Sequence, residues 1–166
     1  MAYNRPVSLA RLLIVTYTCL MASTIKIVIA EDDPLLMRVY QEALTKAGYI
    51  VDIFFNGEDA YRAINEMKEK PTLIMSDVMM PKMNGLELLG KLRESAELKK
   101  IPFVLITNLA QEKFANEGLA NGAIAYLVKG QYTMKELVEK VKEFVNIRTD
   151  DKVPNTRIAV RDVSKE

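Results

Sequence analysis

Ile25-Lys26-Ile27-Val28-Ile29-Ala30-Glu31-Asp32-Asp33-Pro34 decides the fold. Its β-branched run predicts a strand, and the apolar residues are nearly consecutive, so both faces of that strand must be covered. The three carboxylates stop it. Asp33 followed by Pro34 reads as the N-cap and first position of a helix. A buried strand thus delivers acidic residues at its carboxyl end and turns at once into a helix.

The same junction recurs downstream. Leu73-Ile-Met-Ser76 leads to Asp77, Phe103-Val-Leu-Ile106 to Thr107, and Ile124-Ala-Tyr-Leu-Val128 to Lys129. A further strand is predicted over Ile50 to Phe55, closed by Asn56-Gly57. Helices are expected between them. The first carries Leu36, Val39, Tyr40, Ala43 and Leu44 at helical spacing and ends at Gly48. The second carries Ala60, Tyr61, Ile64 and Met67 and stops before Pro71; the third runs from Leu86 to Leu92 after the loop Pro81-Lys-Met-Asn-Gly85. The fourth, from about Gln111 to Ala120, is polar and interrupted by Gly118. The last opens on the capping box Thr133-Met-Lys-Glu136, with Leu137, Val141 and Phe144 on one face.

Five alternations of strand and helix imply right-handed βαβ units around a parallel sheet. The expected architecture is α/β: a doubly wound (βα)5 three-layer sandwich with flavodoxin-like strand order 2-1-3-4-5. In such a sheet the carboxyl ends of the strands share one crevice, so Glu31, Asp32, Asp77, Thr107 and Lys129 converge. Singly, each has a plainer reading as a cap or turn residue, and Asp33 is read as a cap only. Jointly they form a charge problem. Two carboxylates about 4 Å apart repel by roughly 4 kcal/mol at an effective dielectric near 20. Three together call for a cation, and hard oxygen ligands with room for water favour Mg2+, with Mn2+ as a substitute.

Composition narrows the chemistry. The 166-residue chain is 49% hydrophobic and 27% charged with net charge +1, an ordinary globular balance that gives no argument for nucleic acid or acidic membranes. It contains no histidine, which removes His-based zinc sites, Ser-His pairs and phosphohistidine chemistry on this chain. The lone Cys19 precludes an intrachain disulfide and points to a reducing compartment. Residues 1–23 are read as an extension. Arg5 and Arg11 precede the apolar stretch Leu12 to Leu20, either as a weak leader or as a start set too far upstream of Met21. That stretch is too short to span a bilayer, so no membrane association and a cytoplasmic location are expected. Residues 24–147 are read as the folded domain and 148–166 as a polar tail, too short for a second domain, in which the sequence does not decide whether Arg157 to Val163 forms a small strand or turn.

Four fragments in this order carry a resemblance: Ile-Val-Ile-Ala-Glu31-Asp32-Asp33, Ser76-Asp77-Val-Met-Met-Pro81-Lys-Met-Asn-Gly85, Ile106-Thr107 and Tyr126-Leu-Val-Lys129. From about Thr24 to Ile147 the chain resembles the response-regulator receiver domains of two-component signalling, close to the single-domain chemotaxis type. The resemblance implies that Asp77 accepts a phosphoryl group and that Glu31 and Asp32, with Asp77 and the backbone carbonyl of Met79, hold Mg2+. Lys129 would contact a phosphoryl oxygen, Thr107 would hydrogen-bond the attached group, and Tyr126 would turn inward as the aromatic switch. Partners implied are a histidine kinase or histidine phosphotransfer protein as donor, and a target protein met by the fourth helix, fifth strand and fifth helix. No direct nucleic-acid contact and no catalysis beyond the chain's own phosphorylation and dephosphorylation are expected.

Three departures from the family pattern stand out. Gly130 follows Lys129 where the family usually has a cis proline; cis before glycine costs about 2.5–4 kcal/mol, so a trans bond and a different loop are expected. Asn108 replaces a small residue, and Met79 and Leu109 flank the expected water path with apolar groups, which predicts slow hydrolysis of an aspartyl phosphate. Two other classes compete: a pseudo-receiver scaffold that binds partners without phosphate, and a metal-dependent phosphatase. The phosphatase class commonly carries a second aspartate where Met79 stands. Dinucleotide binding lacks its glycine motif after the first strand.

Overall fold

The computed structural model describes residues 25–147; the readings of 1–24, of Cys19 and of 148–166 lie outside the described residues. Strands β1 (Lys26–Ala30), β2 (Ile50–Phe54), β3 (Leu73–Ser76), β4 (Phe103–Thr107) and β5 (Ala125–Val128) alternate with helices α1 (Pro34–Lys46), α2 (Gly57–Glu66), α3 (Gly85–Glu94), α4 (Glu112–Ala120) and α5 (Met134–Phe144). All pairings are parallel, and the order is β2-β1-β3-β4-β5. This is the expected flavodoxin-like arrangement, with β1 central enough to pair with both β2 and β3.

Period two along the strands explains the three layers. Ile27, Ile29, Leu73, Met75, Val104 and Ile106 point to one side, where Met37, Tyr40 and Leu44 of α1 and Leu137, Val141 and Phe144 of α5 cover them. Val28, Ala30, Ile74, Phe103, Leu105 and Tyr126 point to the other, under Ala60 and Ile64 of α2, Leu88, Leu89 and Leu92 of α3, and Ala115 of α4. Each large side chain fully withdrawn from water contributes about 1.5–3 kcal/mol, so the two cores jointly hold the sheet.

Local signals were obeyed closely at the helix ends. Asp33 caps α1 by accepting from the amides of Leu35 (2.8 Å) and Leu36 (3.2 Å), with Pro34 at the first helical position. Gly48, at φ +95°, ends it; the amide of Tyr49 donates to Leu44 O and that of Gly48 to Thr45 O, the paired bonds of a Schellman stop. The Thr133–Glu136 box opens α5 as read, and a second box, Asn84 with Glu87, opens α3.

Two readings are corrected. Gly118 does not interrupt α4, which is continuous to Ala120; a Cβ there would sit 2.3 Å from Leu105 Cδ1, so the glycine lets the helix lie against β4. Asn56-Gly57 is more than the turn closing β2: Asn56 caps α2 by accepting from the Asp59 amide at 2.9 Å, and Gly57 is the first helical residue. A short 3-10 turn at Leu98–Lys100 went unread.

Candidate functional site

The backbone ladder continues one residue beyond the strands and sets the acidic residues side by side. The Glu31 amide donates to Phe54 O (3.0 Å), the Asp77 amide to Ala30 O (2.8 Å) and the Lys129 amide to Thr107 O (2.7 Å). Carboxylate oxygens of Glu31, Asp32 and Asp77 therefore lie within 4.8 Å of one another. Glu31 and Asp77 are buried at 1% and 5% exposure, while Asp32 faces water.

Lys129 reaches in from the end of β5 and is nearly as enclosed. Its ammonium donates to Asp77 Oδ2 and, at 2.9 Å, to Glu31 Oε1. It also lies 2.7 Å from Glu31 Oε2, but at an angle that makes no hydrogen bond, so that buried oxygen accepts none. One ammonium thus faces two buried carboxylates with a third beside them. Burial pushes the Glu31 carboxyl above its ordinary range, and Lys129 only partly opposes this. Burial alone would lower the Lys129 pKa; its hydrogen bonds to Asp77 and Glu31 outweigh that and raise it. Three carboxylates against one ammonium leave surplus negative charge, and their clustered oxygens fit a hard divalent cation.

The segment after β3 is folded back on itself. Asp77 Oδ1 accepts from the Met79 amide at 3.1 Å, and the Ser76 hydroxyl donates to Asp77 O at 2.8 Å. Lys82 adopts φ +64°, with the Met83 amide donating to Pro81 O at 2.8 Å across it, the three-residue turn that favours such a backbone. The Gly85 amide closes the loop on Val78 O at 3.0 Å. A Cβ at Gly85 would fall 2.1 Å from Asp77 O, so only glycine lets α3 begin this close to the acidic residue.

Thr107 ends β4 at 1% exposure, and its hydroxyl oxygen accepts from the Leu109 amide at 3.4 Å. Tyr126 is already inside, 2% exposed, and donates to Leu109 O at 2.7 Å. Burial, helped by the Asp77 charge, pushes its phenol up to about 12, so it remains a donor. The Leu109 peptide is thereby held at both ends, a link that no local signal announces. Met79 is 60% exposed, Asn108 is exposed and Leu109 is half-buried. No cis peptide occurs among the described residues, in line with the trans bond expected after Lys129, and Gly130 sits at φ +84°.

Comparison with known proteins gives the class. Residues 27–142 match the family described as response regulator receiver domain, and the chain belongs to that family. It is 37% identical over 119 residues to the probable transcriptional regulator ycf29 of Porphyra purpurea, covering 72% of this chain and 56% of that one. It is 30% identical over 138 residues to the phosphate regulon transcriptional regulatory protein PhoB of Rhizobium meliloti, covering 83% and 59%. The chain spans little more than half the length of these relatives.

Among solved structures, the chemotaxis response regulator CheY4 of Vibrio cholerae aligns with TM-score 0.67 at 25% identity, covering 74% of this chain and 99% of that one. A CheY-like receiver of Methanospirillum hungatei aligns with TM-score 0.67 at 28% identity, covering 74% and 94%. The protein therefore contains a two-component receiver domain, a signalling module. No helix among the described residues is long and apolar enough to cross a membrane.

Proposed function

We propose that the protein is a phospho-accepting response regulator in which residues 24–147 form the switch and Asp77 is the acceptor. The observation that carries this reading is the buried Glu31–Lys129–Asp77 ion-pair cluster with Asp32 beside it at the carboxyl end of the sheet. Glu31, Asp32, Asp77 and the Met79 carbonyl would hold Mg2+, which, when bound, offsets charge on phosphoryl oxygens.

A histidine kinase or histidine phosphotransfer protein supplies the donor, since this chain has no histidine. One Asp77 oxygen attacks phosphorus in line; its new P–O bond forms as the P–N bond to the donor imidazole breaks, and the imidazole takes up a proton. Lys129 then exchanges its Asp77 contact for a phosphoryl oxygen. Thr107, whose oxygen already accepts from Leu109, turns its hydroxyl hydrogen to the new group. The Leu109 peptide passes that change to Tyr126 and so to the α4–β5–α5 face, where a target protein docks. A cytoplasmic site of action follows from a donor fed by intracellular ATP.

Incubation with acetyl phosphate and Mg2+, read by intact mass, tests the reading. Wild type gains one phosphoryl group and Asp77→Asn gains none. Absence of addition to wild type overturns the proposal and leaves the pseudo-receiver scaffold.

A further inference from the structure

The loop that carries the acceptor is anchored from outside by α2. We infer that Gly57, the first residue of that helix, is a positioning residue for the acceptor site. The inference rests on the reading of Asp77 as acceptor, and it assigns to a residue outside the acidic cluster the task of holding the loop between Val78 and Gly85.

A first-turn helix amide has no partner within its own helix. The Gly57 amide is given to Met83 O at 3.1 Å, across from one loop to the next. That approach needs glycine for space: a Cβ would lie 2.5 Å from Met83 O and 3.1 Å from Met83 Cγ. A methyl there forces the loop or the helix to give by about half an ångström. Gly57 has no left-handed backbone, so conformational freedom is not its purpose.

A second anchor lies alongside. Lys82, the residue at φ +64°, sets its ammonium 3.7 Å from Asp59 Oδ2. Asp59 is itself oriented by Asn56 Nδ2 (2.7 Å) and by Arg62 (2.7 Å). The centre of the turn, Lys82, and its far end, Met83, are thus both tied to the N-terminus of α2. The same loop presents the Met79 amide to Asp77 Oδ1. A displaced turn therefore misplaces the Asp77 carboxylate without touching it.

The full chain is compared with Gly57→Ala, Lys82→Ala and Gly90→Ala. Gly90 lies in α3 with open space around a built Cβ, so its variant reports the generic effect of adding a methyl to a helix. Amide hydrogen exchange at Met79 in metal-free protein is the first readout. It quickens in Gly57→Ala and stays unchanged in Gly90→Ala. Phosphoryl incorporation from acetyl phosphate with Mg2+ is the second. It slows roughly tenfold to a hundredfold in Gly57→Ala, the scale of a sub-ångström to ångström misplacement, and changes less than about twofold in Gly90→Ala.

A folded Gly57→Ala that matches wild type in both readouts overturns the assignment. Should Gly57→Ala fail to fold, Lys82→Ala decides. Faster Met79 exchange with a rate loss of about threefold, the scale of one exposed ion pair, supports the inference, and wild-type behaviour overturns it. A wild type that takes no phosphoryl group removes the acceptor reading, while the Met79 exchange comparison still decides the role of Gly57.

Discussion

The two ends of the sheet are built from different chemistry. At the amino end, Ile27, Leu73, Phe103 and Ala125 are fully enclosed hydrocarbon, backed by Ile101. At the carboxyl end lie all the buried polar residues of the described chain: Glu31, Asn56, Ser76, Asp77 and Thr107. Burying ions costs several kcal/mol each, even when they are paired, so this asymmetry is not what stability alone would select. One end holds the fold together; the other concentrates charge that the fold must tolerate.

The largest expected effect breaks that comparison on the charged side. Asp77→Asn is expected to abolish phosphoryl incorporation, a loss beyond roughly a thousandfold, or about 4 kcal/mol of barrier. Its urea midpoint should nevertheless equal or exceed that of wild type, because one of three clustered negative charges is gone. A midpoint well below wild type would mean that the cluster stabilises the fold after all.

The mirror experiment is Phe103→Ala at the amino end. Removing a fully buried ring should cost about 3–5 kcal/mol in urea unfolding, while the fraction that stays folded incorporates phosphoryl groups at the wild-type rate. A selective loss of activity at unchanged stability would erase the distinction between the two ends.

How legible these two ends are in the sequence differs as well. Leu73–Ser76 was bounded to the residue, and Asp33-Pro34, Gly48 and Thr133–Glu136 were read correctly, because each is a local device whose partners lie within a few positions. The convergence of Glu31, Asp32, Asp77 and Lys129 was also readable, since a parallel sheet necessarily gathers strand ends, and Thr107 ends the neighbouring β4. What escaped depends on distant chain segments. Gly118 looked like a helix breaker, yet its small size answers to Leu105 on β4. Gly57 looked like a turn glycine, yet its constraint is the Met83 carbonyl. The Tyr126 bond to Leu109 O spans seventeen positions and has no spacing rule to announce it. The Asn84–Glu87 box, the Asn56 cap and the 3-10 turn at Leu98–Lys100 were locally encoded and passed over.

Metal addition sharpens the contrast at intermediate scale. Mg2+ at a hundred times its dissociation constant should stabilise the fold by about 2.7 kcal/mol, seen as a raised urea midpoint. Asp32→Asn, which removes an exposed carboxylate and opens no cavity, should lose most of that shift. Phe103→Ala should keep it in full, although its midpoint starts far lower. If Ca2+ and Mg2+ shift wild type and Asp32→Asn alike, the effect is general ionic screening, and the carboxyl end is not a metal site.

The smallest expected effect separates residues within the charged end itself. Met79, 60% exposed, gives its amide to Asp77, and Leu109, half-buried, gives its amide to Thr107; both side chains are apolar. Neither can hydrogen-bond a water, whereas an amide can. Met79→Asn should therefore shorten the lifetime of the aspartyl phosphate by roughly threefold to tenfold, the worth of one hydrogen bond to the attacking water. The rate of its formation should change little, because the Met79 amide and carbonyl remain in place. Lifetime is followed by intact mass after removal of acetyl phosphate. An unchanged lifetime in Met79→Asn would locate the barrier to water elsewhere, at the Leu109 peptide that Thr107 and Tyr126 hold from either side.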